Sequence, residues 1–306
     1  MPLSEFELIY RYFSALGRGE AVELGVGDDC AILSLRPGER LATSVDTLVA
    51  DVHFDSDGFP EDIGFRCVSV AASDLAAMGA RPLGMTVALT LPEADEFWLN
   101  AFSQGLAEAV TLYELPLVGG DTTRGPLSIT VQVLGGLPAD AALLRGGARA
   151  GDRVCVSGTL GDAAAALAFL RGQWQPQPEQ GEFLLQRLYR PKAQLDLGQR
   201  LLGSASAAID ISDGLLADAG HVADASGVRI DIDPEKLPLS DALGAFPERK
   251  QALLWALSGG DDYELLYTLP PGRETFGGTV IGQVGPGEGV HCPLTVQTPG
   301  YEHFHG

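Results

Sequence analysis

The chain is short of positive charge. Against 41 acidic residues it carries 20 lysines and arginines, a net charge of −21. No basic stripe exists to neutralise a phosphate backbone, which excludes nucleic acid as a partner. It is short of cysteine as well. Cys30, Cys67, Cys155 and Cys292 are widely spaced and form no C-x-x-C pair, a pattern that fits buried free thiols in a reducing compartment. No apolar run reaches the roughly 18 residues that a membrane span needs, and no signal peptide is evident, so the expected location is cytoplasmic, with no membrane partner. Nucleophile and metalloprotease signatures are missing too: neither G-x-S-x-G nor H-E-x-x-H occurs. No residue stands out as a general base. His303 and His305 are too few to read as a tag or a metal site.

What is present is ordinary in bulk. The 306 residues suffice for two domains, and 45% hydrophobic content with 39 glycines and 19 prolines is usual for an α/β protein. Ser4 and Glu7 form a capping box. Phe6, Ile9, Tyr10, Phe13 and Leu16 then predict an amphipathic helix ending near Gly17. A strand and turn over 22–29 and a strand over 41–45 follow. Next come a helix over 61–78, stopped at Gly79, a strand over 82–91 and a helix over 93–113. Strands over 115–118 and 128–134 close the first half. The stretch after Gly135 is rich in glycine and alanine, which places a boundary between domains 1–137 and 138–306. The second half reads as a strand over 153–157, a helix over 162–170 and a surface loop over 172–181 that holds Trp174. A strand over 207–211, a helix over 215–225 and a strand over 228–232 follow, and a turn over 258–264 feeds a strand over 265–269. Strands and helices alternate in both halves, without an internal repeat, and predict two α/β domains.

The aspartates carry the chemistry. Asp46 ends the run 41–46, and Asp28, Asp29, Asp74, Asp121, Asp210 and Asp213 sit after other apolar runs, beside glycines or inside an apolar helix. Carboxylates so placed repel one another and lose hydration. They persist cheaply only around something positive. Oxygen ligands at strand ends suit magnesium, a hard cation that keeps some of its waters. In a strand, Ser44 and Asp46 share a face and can address one ion. Gly119-Gly120-Asp121-Thr122-Thr123-Arg124 has the logic of a phosphate loop, in which glycines expose backbone N–H groups and the aspartate holds metal. It is not a Walker A loop, since no G-K-[ST] follows. Asp210 and Asp213 follow an apolar strand, where open α/β sheets bind ligands. His53 reads as a substrate contact rather than a base. Together these features predict phosphoryl transfer.

Taken in order, the motifs resemble those of the thiamine-monophosphate kinase family. They are residues 25–31 (G-V-G-D-D-C-A), 43–49 (T-S-V-D-T-L-V), 73–80 (S-D-L-A-A-M-G-A), 118–125 (V-G-G-D-T-T-R-G), 209–215 (I-D-I-S-D-G-L), 258–265 (S-G-G-D-D-Y-E-L) and the terminal 300–304. The resemblance spans the chain. Single pieces are shared with aminoimidazole ribonucleotide synthetase, a hydrogenase maturation protein and selenophosphate synthetase. It implies a two-domain α/β (α+β) fold like that of aminoimidazole ribonucleotide synthetase, with N-terminal domains forming a shared barrel in a homodimer. It implies ATP as co-substrate, several Mg²⁺ ions and thiamine monophosphate as acceptor. Carried over by motif, the metal ligands are Asp29, Ser44, Asp46, Asp74, Asp121, Asp210 and Asp213, with Val45 acting through its carbonyl. Gly120, Asp121, Arg145 and Ser212 would contact ATP, with Arg145 also supporting transfer. His53, Asp261 and Tyr301 would contact the thiamine phosphate. Position 261 is often Glu in the family. The implied nucleophile is a phosphate oxygen whose second pKa is about 6, so no general base is needed.

Overall fold

The computed structural model describes residues 5–301, so Ser4 of the expected cap and the segment 302–306 lie outside it. The chain divides into two compact units. One comprises the residues up to 75 together with 80–140; the other comprises 76–79 and the residues from 141 onward.

The first unit opens with α1 (Glu5–Tyr12), which buries Leu8 and Tyr12. The expected longer helix breaks into a 3-10 turn at Ser14–Leu16, where the Ser14 hydroxyl donates to the Tyr10 carbonyl and competes with the helical ladder. Two short strands pair antiparallel, β1 (Val22–Leu24) and β2 (Ile32–Leu33). Then come β3 (Glu39–Val49), α2 (Pro60–Met78), β4 (Arg81–Leu91), α3 (Glu96–Tyr113), β5 (Leu117–Arg124) and β6 (Ser128–Pro138). Helix α3 starts three residues later than predicted, because Asp95 caps it by accepting from the Phe97 N–H.

The four longer strands form one sheet in the order β3-β6-β4-β5, with β4 and β5 parallel and the other pairs antiparallel. Its two faces differ in kind. Ile129, Val131 and Val133 of β6 and Met85, Val87 and Leu89 of β4 are buried. Helix α2 covers this face, with Leu75 lying over Gly135. The other face carries Thr43, Val45 and Thr47 of β3, Thr130 and Gln132 of β6, and Thr86 and Ala88 of β4. Thr43, Gln132 and Thr86 are joined by side-chain hydrogen bonds. Val45 and Leu41 stay 60% and 54% exposed there.

The second unit runs β7 (Arg153–Val156), α4 (Asp162–Leu170), α5 (Pro178–Tyr189), α6 (Leu195–Leu201), β8 (Ala207–Asp210), α7 (Leu215–Ser226), β9 (Arg229–Ile232), α8 (Asp241–Gly244), α9 (Arg249–Ser258), β10 (Leu265–Leu269), β11 (Thr279–Gly285) and β12 (Gly289–His291). Its six-stranded sheet has the order β12-β9-β11-β7-β10-β8 and is antiparallel except for β12 against β9. Val154, Val156, Ile209, Ile230, Leu266 and Ile281 form the buried strand core under α7. A second cluster joins α4, α5, α8 and α9. Trp174 belongs to it. The ring meets Phe246 edge-on at 4.9 Å and its N–H donates to the Ala165 carbonyl. The expected surface loop is exposed except at Trp174 and Pro176, but it is shorter than read, since α5 begins at Pro178. Its proline, glutamines and tryptophan gave no helical period to read.

Candidate active site

In the first unit, Ser44 and Asp46 stand opposite Val133 and Val131 of β6, so both point to the face that α2 covers. Asp74 comes down from α2 and accepts a short hydrogen bond from the Ser44 hydroxyl. Three expected residues thus share this face. Asp46 does not end its strand. β3 continues to Val49 because Thr47 and Leu48 keep pairing with β6, and the Thr47 and Thr130 hydroxyls meet at 2.9 Å on the other face. Val45 turns its side chain away from Asp46, so any ligand role falls to its carbonyl; β3 is an edge strand, which leaves alternate carbonyls outside the ladder. After β3, Asp51 adopts φ 62° in a tight turn, and the ring Nδ1 of His53 accepts from the Val49 N–H. An accepting Nδ1 places the neutral ring's proton on Nε2.

Gly119, Gly120 and Asp121 lie within β5, not in the loop that their composition predicted. A Cβ at Gly120 would sit 1.9 Å from the Val87 carbonyl oxygen, so glycine is required for β5 to lie against β4. Asp121 pairs with Ala88 and therefore occupies the sheet face opposite to that of Asp46. What Asp121 does meet is the turn of β1 and β2. A cavity of about 530 Å³ is lined by Asp28, Asp29 and Cys30 on one side and by Gly119, Gly120 and Asp121 on another. Ile9, Phe13, Val87, Leu89 and Leu117 supply its apolar wall.

In the second unit, β8 delivers Asp210, 6% exposed, and the chain turns through 211–214 into α7. The turn 258–263 packs against it. The Asp261 N–H donates to the Ser212 carbonyl at 2.9 Å and the Tyr263 N–H to the Ile211 carbonyl at 2.8 Å. A Cβ at Gly260 would meet the Ser212 carbonyl oxygen at 2.5 Å. The Tyr301 N–H donates to the Asp213 carbonyl, leaving its ring 52% exposed. Asp210, Ser212, Asp213, Asp261 and Tyr301 are therefore neighbours. Arg145 is not among them. Its carbonyl accepts from Ser226 at the C-terminal end of α7, while Ser212 and Asp213 lie before its N-terminal end. Twelve residues of helix separate these ends by about 17 Å.

Sequence reasoning missed Asp218. Its Oδ2 accepts three backbone N–H groups, from Ser212, Asp213 and Gly214, and so fixes the turn. Burial pushes its carboxyl up to about 7, and Asp210 and Asp213 push the same way. The available signal was an acid in the first turn of a helix after a glycine-bearing strand end. Ligand atoms of Asp213, Asp218 and His221 lie within 4.8 Å of one another. Also missed was a charge group in which the half-buried Arg187 meets the buried Asp162, Asp262 and Glu264. The cysteines are free; burial pushes the Cys67 thiol up to about 12 and the Cys155 thiol to about 11, while Cys30 is exposed. Among the described residues no helix is long and apolar enough to cross a membrane.

The expected metal donors are all oxygens: six carboxylates, the Ser44 hydroxyl and a carbonyl. That chemistry fits Mg²⁺ and disfavours softer ions.

The N-terminal domain of the AIR synthase related proteins matches residues 27–137 and their C-terminal domain matches 149–290. Thiamine-monophosphate kinase of Salmonella typhimurium (strain LT2) is 46% identical over 99% of both chains. The crystal structure of thiamine-monophosphate kinase from Stenotrophomonas maltophilia K279a superposes with a TM-score of 0.87 at 43% identity, covering 95% of this chain and 97% of that one. A complex of AaThiL with AMPPCP and TMP superposes at 0.81 with 37% identity, covering 99% of each. With these matches running the length of both units, the chain belongs to the thiamine-monophosphate kinase family of AIR synthase related proteins.

Proposed function

We propose that this chain transfers the γ-phosphoryl group of ATP to the phosphate of thiamine monophosphate, giving ADP and thiamine diphosphate by direct in-line displacement. The observation that carries the reading is the cavity in which an acid pair, Asp28 and Asp29, faces the glycine-aspartate strand 119–121 beside an apolar wall. An adenosine fits the wall and a cation-bearing phosphate chain fits the acids. Family membership supports the acceptor.

Asp29, Ser44, Asp46, Asp74 and Asp121, with the carbonyl of Val45, and Asp210 and Asp213 of the second unit would hold Mg²⁺. Bound there, Mg²⁺ supplies positive charge that lowers the repulsion between two phosphate anions. The acceptor phosphate is largely a dianion at pH 7, since its second pKa is about 6. It needs no proton removed before it attacks. Gly120 and Asp121, and Ser212 of the second unit, would contact the nucleotide; Arg145, held at the far end of α7 from Ser212, is left out of that set. Tyr301 offers an exposed aromatic face to the cationic thiazolium, and Asp261 offers it a carboxylate that the Tyr263 hydroxyl orients at 3.0 Å. His53 presents its Nε2–H to the acceptor phosphate.

The uncovered sheet face of the first unit supports a homodimer. Val45 and Leu41, with the threonines beside them, form a surface that the chain itself leaves open. We place the protein in the cytoplasm, where free thiols persist. A coupled ADP assay with ATP, Mg²⁺ and thiamine monophosphate tests the function. ADP should form in step with thiamine diphosphate. ATP turnover that needs another acceptor, or none, overturns it.

A further inference from the structure

We propose that Asp262 is a positioning residue for acceptor binding: its buried carboxylate locks the turn that presents Asp261. This rests on the acceptor role given to Asp261 above. Asp261 and Tyr263, on either side of Asp262, adopt φ of 67° and 51°, a left-handed conformation that Asp tolerates better than most but that is unfavourable for Tyr, and two such residues flank one position. Such a conformation persists only where the surroundings over-determine it. The surroundings here divide by residue. Asp261 and Tyr263 give their N–H groups to the 211–214 turn, whereas Asp262 and Glu264 point into the protein.

Asp262 is 2% exposed, and both its oxygens accept from the Gly161 N–H, at 3.0 and 2.9 Å. Gly161 precedes α4 and is itself fixed. Its φ is +84°, and a Cβ there would lie 2.6 Å from the Ala256 nitrogen. The anchor is thus backbone that cannot shift without disturbing α9. Glu264 is tied to the same frame. Arg187 of α5 donates to it at 3.0 Å and Ser157 of the loop after β7 at 2.5 Å, and Arg187 lies 3.5 Å from Asp162. Asp162 is held in turn by Thr159 and Ser240. Burial raises the Asp262 carboxyl well above its ordinary range, against the Gly161 N–H and Arg187. A buried acid held at that cost, bonded to one backbone N–H between two left-handed residues, fits a device that sets backbone geometry. Asp261 does not have to be held by the substrate; it is pre-set, which lowers the ordering cost of binding.

The test uses the full chain, with steady-state kinetics for each substrate. Asp262→Ala removes the acceptor for Gly161 and should raise KM for thiamine monophosphate at least fivefold, with KM for ATP within twofold of wild type. Asp262→Asn keeps an oxygen for the same N–H and should recover most of that loss, an outcome that a purely electrostatic role does not give. Should Asp262→Ala not fold, Glu264→Gln loosens the same frame and should raise KM for thiamine monophosphate at least threefold, again sparing ATP. Unchanged KM for thiamine monophosphate, or equal rises for both substrates, overturns the proposal. Asp261→Ala separates the two readings. If it raises KM while Asp262→Ala does not, positioning fails alone. If Asp261→Ala is neutral, the acceptor reading fails and takes the positioning role with it.

Discussion

Asp46, Asp74 and Asp121 show what single residues decide. Asp46 and Asp74 are half-buried on the face under α2 and Asp121 is exposed on β5, and each would offer a carboxylate to a cation. Asn keeps the shape and removes the charge. Asp46→Asn, Asp74→Asn and Asp121→Asn should each remove most activity while leaving the fold unchanged or more stable without metal, checked by turnover and by thermal melting. Wild-type rates for all three at saturating Mg²⁺ would refute their role. Asp218 gives a dependence on pH. Its folded carboxyl titrates near 7 rather than 3.8, raised first by burial. Between those values the folded state holds a proton that the unfolded state has released, so stability falls as pH rises through the window and levels off above it. The contribution is on the order of 4 kcal/mol at most, since each pKa unit is about 1.4 kcal/mol. Melting temperatures measured with chelator from pH 5 to 8 should fall less for Asp218→Asn than for wild type. Parallel curves for the two proteins would show that Asp218 does not set the slope.

Among the elements, β5 departs most from its sequence. Glycine pairs usually mark loops, and the run 119–121 read as one. The structure makes it an edge strand, because Gly120 lets β5 approach the Val87 carbonyl of β4. Gly120→Ala should cost about 2 kcal/mol or more by overpacking and backbone strain, and lower the melting temperature of the ligand-free protein. A loop glycine that served phosphate alone would lose nucleotide binding without that loss of stability, so a melt without ligand distinguishes the two. By contrast α2 was legible almost to the residue. Its apolar period is long, and Gly79 with φ +71° ends it as a left-handed cap. Helices α5, α8 and α9 were not legible, since their buried faces form only around Trp174, Phe246 and Trp255 from distant parts of the chain.

For the whole molecule the governing fact is its charge. At −21 the protein repels its own phosphorylated substrates unless cations intervene. Mg²⁺ and nucleotide should therefore raise the melting temperature together by clearly more than the sum of their separate effects. Strict additivity, read by calorimetry with each ligand and with both, would count against a nucleotide site built on carboxylates.

The sequence by itself determined the family, the phosphate chemistry and most of the candidate residues. These depend on local motifs, and an aspartate after an apolar run advertises its chemistry wherever the chain later goes. The two α/β domains were likewise written in short-range periodicity. Only the tertiary structure decided which candidates meet. Strand register put Ser44 and Asp46 on one face and Asp121 on the other. Chain reversal seated the 258–263 turn on the 211–214 turn and left Arg145 at the far end of α7. Beneath the site, Asp218 takes its three N–H groups from four to six residues away and so left a local signal, an acid in the first turn after a glycine-bearing strand end. The Asp262–Arg187 group left none, because the Gly161 N–H and the Arg187 guanidinium are brought to its carboxylates by pairings across many tens of residues.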